Sequence, residues 1–126
     1  MGNNKILGAL GENLACEYLS ECGYRVIERN FSCKVGELDI IAIQGDSVVF
    51  IEVKTRSSEE YGLPSEAVSR VKQGRILKTA LYYMQNNKLF DYMCRFDVIE
   101  IVIDEENNHR INLIKDAFQY SGRYGY

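Results

Sequence analysis

Two apolar runs on either side of a short polar link constrain this chain more than any other feature. Gly36-Glu37-Leu38-Asp39-Ile40-Ile41-Ala42-Ile43 and Val48-Val49-Phe50-Ile51-Glu52-Val53-Lys54 flank Gln44-Gly45-Asp46-Ser47. Both runs are rich in Ile, Val and Phe, as strands are. Gly45-Asp46 suits a two-residue hairpin loop, with glycine where φ must be positive. Counting outward from Gln44 opposite Ser47 sets Asp39 against Glu52 and Glu37 against Lys54. Side chains alternate along a strand, so all four project from one face.

Like charges facing each other across a strand pair destabilise it, the more so when buried. Lys54 can neutralise one carboxylate. A divalent cation would neutralise two and take their oxygens as ligands. A cross-strand salt-bridge patch on a solvated face is the competing reading. It fits poorly with Ile41 and Phe50 on the same face as the charges. Both readings depend on register, because a slip of one residue would send Glu52 and Lys54 to the other face.

At 126 residues the chain has the length of one domain, 1–126. Its formal charge is -3 and its pI about 5.2, so any nucleic-acid surface must be a local patch. Cys16, Cys22, Cys33 and Cys94 include no C-x-x-C pair, and only His109 could join them. That argues against a zinc ribbon. Reduced thiols, no signal-like start and no membrane-length apolar run point to the cytoplasm.

The first helix is expected from about Asn4 to Cys22, with Leu7, Leu10, Leu14 and Tyr18 as its main buried stripe. Gly8, Gly11, Ala15 and Leu19 widen that stripe, and Glu12 lies on the widened edge. Gly23 ends the helix. Tyr24 to Asn30 reads as a strand, and the hairpin follows. Thr55 to Pro64 is a polar loop, either a lid beside the site or a plain connector. A second helix spans Glu66 or Ser69 to Asn86, with Ser65 or Ser69 as cap. Gln73, Leu77, Ala80, Leu81 and Met84 form its stripe, with Gly74 allowing close approach.

Between Lys54 and Lys78 the cations Lys54, Arg56, Arg70, Lys72, Arg75 and Lys78 outnumber Glu59, Glu60 and Glu66. This is either a phosphate-facing patch or an ordinary solvated helix face. Arg95 to Ile103 is a strand, 104–108 an acidic turn with His109 beside it, and Arg110 to Ile114 an edge strand. Ser121 to Tyr126 reads as solvated tail. The order α-β-β-β-α-β-β defines an α/β fold. Its mixed sheet is flanked by helices, with parallel pairing across the long helical crossover. Arg70, Lys72 and Gln73, early in the second helix, then lie close to the acids.

Asp39 followed by Glu52-Val53-Lys54, with Glu12 on the first helix, resembles the PD-(D/E)XK nuclease superfamily of restriction-endonuclease-like fold. The wider set is Gly11-Glu12, Gly36 to Ala42, Val49 to Arg56, Ala67-Val68, Lys72 and Arg95-Phe96-Asp97-Val98. It is similar to the small bacterial YraN-type family, itself distantly similar to archaeal Holliday junction resolvases. The chain departs from the superfamily pattern in having Leu38, not proline, before Asp39.

The resemblance implies a metal-dependent endonuclease acting on DNA, including branched or damaged forms, and self-association into a homodimer. It implies Glu12, Asp39, Glu52 and Lys54 as catalytic residues. Mg²⁺ or Mn²⁺ would be held by Asp39, Glu52 and the Val53 carbonyl. Arg56, Arg70, Lys72, Gln73 and Arg75 are the expected nucleic-acid contacts. The alternative is a non-catalytic nucleic-acid-binding or adaptor module that keeps the fold.

Overall fold

The computed structural model describes residues 2–57 and 68–119, with side chains from Ile6 onward. The expected lid from Ser58 to Pro64, the candidate cap Ser65, the helix start at Glu66, Ala67 of the wider motif and the Ser121 to Tyr126 tail lie outside these residues.

The elements are α1 (Gly2–Glu21), β1 (Arg25–Ser32), β2 (Glu37–Gln44), β3 (Ser47–Ser57), α2 (Arg70–Asn86), β4 (Met93–Ile103) and β5 (His109–Phe118). They follow the expected order. The strands form one sheet in the order β1-β2-β3-β4-β5. β3 and β4 run parallel across the α2 crossover, and the other pairs are antiparallel. Ser69 is the cap that starts α2, its side chain accepting from the Lys72 N–H. β5 runs past the expected Ile114 to Phe118.

Two clusters of buried side chains cover the two faces. Ile40, Ala42, Val49, Ile51, Ile99 and Ile101 pack with Ala15 and Leu19 of α1. Ile41, Val48, Phe50, Phe96 and Val98 pack with Ile76, Ala80, Tyr83 and Met84 of α2. A sheet covered on both sides needs apolar residues on both, which explains why the hairpin shows little alternation.

Both helices are rotated from their expected stripes. On α1 the deepest line runs through Gly11, Ala15 and Leu19, while Leu10 is exposed. On α2 it runs through Ile76, Thr79, Ala80 and Tyr83, while Leu81 is exposed and Gly74 faces open space. The small residues decide the matter. A Cβ on Gly11 would overlap the Thr55 side chain of β3, and one on Gly36 would reach the Thr79 hydroxyl of α2. Each helix turns its small side toward the sheet to lie close.

Gly11→Ala is therefore expected to destabilise the protein. Overpacking costs about 1–3 kcal/mol, which exceeds the helix-propensity gain of up to about 1 kcal/mol. Adding Thr55→Ala should recover most of the loss in urea denaturation. Equal stability of wild type and Gly11→Ala would disprove the close contact.

Candidate functional site

The hairpin register agrees with the count from the turn. Gln44 pairs with Ser47 and Ile40 with Ile51, and Gly45 has φ +57. Ile40 and Ile51 are the last paired residues on this side. Beyond them the Val53 N–H donates to Asp39 Oδ2 at 2.8 Å. A side chain here takes a backbone donor that the strand ladder no longer reaches, so the acid marks the point where β2 and β3 part.

The aim of Asp39 is set one strand away. Leu38 belongs to the α2-side cluster and Ile40 to the α1-side cluster, although residues two apart on a regular strand share a face. β2 therefore rotates about Asp39. The paired residues Arg29↔Ile40 and Phe31↔Leu38 bracket Asn30, which has φ +53. Asparagine tolerates this left-handed conformation better than most residues. The Asn30 amide donates to Glu12 Oε1 at 2.8 Å, and Arg29 donates to the same oxygen through Nε at 3.1 Å and Nη2 at 2.9 Å. Glu12 thus ties α1 to the twisted part of β1, directly across from Asp39.

Glu52 is buried, 8% exposed, on the same side as Phe50 and facing α2. Its Oε1 lies 2.5 Å from the Lys72 ammonium, on the first turn of α2. Burial, and then the charge of Glu52 beside it, push the Asp39 carboxyl up to about 7. The Val53 N–H and Lys72 pull it back only in part. Burial works against the charge of Lys72, but its contact with Glu52 and the fields of Asp39 and Glu37 hold the ammonium above its ordinary range. Two carboxyl groups are thus held together with one cation, and that cation's side chain is 47% exposed.

The amine beside the acids is therefore Lys72. Lys54 lies exposed further along β3, next to Glu100 in the parallel ladder. Glu12 does not join the acid pair; it is engaged by Arg29 and Asn30 on the α1 side. Arg56 is buried, with Nη2 2.7 Å from Glu100 Oε2, rather than displayed on an open surface. Gln73 donates to the Val68 carbonyl at 3.1 Å and holds the turn before α2. Arg70 and Arg75 are exposed. Early placement on α2 was the signal that could have ranked Lys72 above Lys54. Asn30 carried no such signal.

The residues fit a small divalent cation. Mg²⁺ takes few protein carboxylates and keeps much of its water, and two adjoining acids with an incomplete set of fixed donors suit it. Among the described residues, no group of three or more His, Cys, Asp or Glu side chains gathers to hold a metal. An all-protein cage, such as a structural zinc site, is thus not formed among them.

A mixed sheet between two helices, with an acid pair where its central hairpin parts, is a restriction-endonuclease-like fold. The chain belongs to the Uncharacterised protein family UPF0102, which it matches over residues 11–101. A UPF0102 protein of Syntrophus aciditrophicus is 50% identical over 119 residues, 94% of this chain and 93% of its own length. One from Clostridium kluyveri is 53% identical over 117 residues, covering 92% and 96%. One from Caldanaerobacter subterraneus is 45% identical over 118 residues, covering 92% and 97%. No helix among the described residues is long and apolar enough to cross a membrane.

Proposed function

We propose that this protein is a metal-dependent endonuclease that hydrolyses DNA phosphodiester bonds, branched or damaged DNA included. The observation that carries this reading is the adjoining Asp39–Glu52 pair, in which burial, and then the charge of Glu52, raise the Asp39 carboxyl to about 7. A fold gains nothing from two adjoining acids unless a cation is to sit between them.

Asp39, Glu52 and the Val53 carbonyl would hold Mg²⁺ or Mn²⁺. When bound, such an ion supplies positive charge for the phosphate and eases ionisation of the attacking water. The chain's own residues do the rest. The Val53 N–H fixes one Asp39 oxygen, leaving the other for the ion. Lys72 sits where an ammonium can leave Glu52 for a non-bridging phosphate oxygen and stabilise charge that builds in the transition state. Lys54, exposed further along β3, would orient the attacking water. Glu12 acts at one remove, through Asn30 and the twist that aims Asp39. The four cysteines are all free thiols, which suits a reducing cytoplasm shared with DNA.

Calorimetric titration with Mn²⁺ tests the centre without relying on activity. The expected result is saturable binding at one site, lost in Glu52→Gln with the thermal midpoint retained. Heat indistinguishable from dilution, unchanged by Glu52→Gln, would leave only a salt-bridge network and end the proposal.

A further inference from the structure

A cleft of about 680 Å³ opens between the β1–β2 turn and α2. Lys34, Lys72 and Arg75 line it against the single carboxylate of Glu37, with Ser32 and Ser69 at its walls. In a chain of net charge -3, this is a local excess of positive charge. Ser32 and Glu37 also line a smaller pocket, about 130 Å³, that contains Asp39. Lys72 of the cleft also touches Glu52, so the cleft lies beside both acids.

Both walls are held. Cys33 and Gly36 exchange backbone hydrogen bonds at 2.9 and 3.2 Å, so Lys34 and Val35 form the tip of a tight turn. Gly36 lets that turn close onto Thr79 of α2. Arg75 stands one helical turn beyond Lys72, about 4.5 Å along the axis. The two cations are therefore neighbours along one wall of the cleft. Among the described residues Lys34 and Arg75 make no ion pair, whereas Lys72 is drawn to Glu52.

We propose, resting on the reading of the acid pair as a phosphodiester site, that this cleft binds the phosphate next to the scissile one on the same strand. Lys34 and Arg75 are its two cations, one from each wall. The strand runs from the Asp39 pocket past Lys72 and out between the turn and the helix. This gives Lys34 a part in binding and separates the work of the α2 cations. Lys72 serves the reacting phosphate and Arg75 the one beside it.

The test is binding of a labelled forked DNA oligonucleotide, followed by anisotropy across a salt series with chelator present, so that cleavage plays no part. Each phosphate contact contributes about 0.7–0.9 to the slope of log affinity against log salt. Because both cations serve one phosphate, Lys34→Ala with Arg75→Ala should make the slope shallower by about 0.7–0.9. Arg75→Lys, which keeps the charge, should restore its share. Both positions are exposed, and a thermal midpoint confirms that the variants fold. An unchanged slope in the double variant, or wild-type binding with no salt dependence, overturns the inference. A protein that shows the slope change but never cuts DNA defeats the nuclease reading and leaves this site standing. One that cuts DNA while the double variant keeps the full slope does the reverse.

Discussion

Asp39→Asn is expected to abolish metal-dependent cleavage and, without metal, to make the protein more stable at pH 8. On the proposed function, loss of one of the two carboxylates assigned to the cation should cost about 10³-fold or more in rate, roughly 4 kcal/mol of barrier. The stability gain follows from the raised pKa. Asp39 titrates near 7 in the folded chain and near its ordinary 3.8 when unfolded. Between those values the folded state binds more protons than the unfolded state, so stability falls as pH rises from about 4 to about 7. At pH 8 the penalty is fully present. At roughly 1.4 kcal/mol per unit, it amounts to a few kcal/mol.

Asparagine removes that charge, and its amide oxygen can still accept from the Val53 N–H. With chelator, the variant should melt about 5–10 °C above wild type at pH 8. The gap should narrow toward pH 4, and saturating Mn²⁺ should close it by stabilising wild type alone. A variant that melts below wild type at pH 8, or a gap that ignores pH, would contradict the placement of Asp39 beside Glu52.

That placement was legible in the sequence because it depends on local rules. Gly45-Asp46 sets the loop, the loop sets the register, and the register carries Asp39 to Glu52 by counting. The Ser69 cap and the helical crossover are similarly local. What was not legible depends on neighbours distant along the chain. The rotation of β2 at Asp39 is matched by the positive φ of Asn30 on another strand. Glu12 was read as a site residue because small residues surround it on the helix. Those residues mark how closely α1 approaches Thr55, and say nothing of the Arg29 that claims the carboxylate. The resemblance assigns the catalytic amine to Lys54 through the Glu52-Val53-Lys54 motif, whereas the amine in contact with Glu52 is Lys72. The choice depends on how α2 lies across the sheet, which its own hydrophobic pattern placed about one residue out. Arg56 is taken up by Glu100 of β4, a partner that only the parallel pairing brings near.

Asp97→Ala should destabilise the protein more than the other substitutions named, by about 3–5 kcal/mol. Asp97 is fully buried, 0% exposed, on the sheet face opposite Glu52. It accepts from Tyr24 Oη at 2.7 Å, Arg95 Nε at 2.9 Å, Arg95 Nη2 at 3.0 Å and the Asp116 N–H at 2.9 Å. Its position coincides with the register shift between Phe96 and Val98 in the β4–β5 ladder, and Asp116 has φ +54. Asp97 thus joins the start of β1 to an irregular edge strand. Burial and the hydrogen bond to Asp97 push the Tyr24 phenol far above its ordinary range, so it stays a donor throughout the usable pH range. Alanine would leave the Tyr24 O–H and the Asp116 N–H without their acceptor, while Arg95 would keep Gln44 Oε1 at 2.6 Å and Tyr24 Oη at 3.0 Å.

Asp97→Asn, which keeps an acceptor, should cost about 1–3 kcal/mol, and Tyr24→Phe about 1 kcal/mol. Urea denaturation measures all three, and an alanine variant within 1 kcal/mol of wild type would refute the ordering. In Tyr24→Phe, Mn²⁺ binding should be unchanged. Asp97 is an acid whose oxygens are already filled by fixed donors of the chain. Among the described residues, Asp39 and Glu52 have one backbone N–H and one half-exposed lysine between them. That difference in donor supply, more than the presence of carboxylates, separates an acid that holds a fold from the pair proposed to hold a cation.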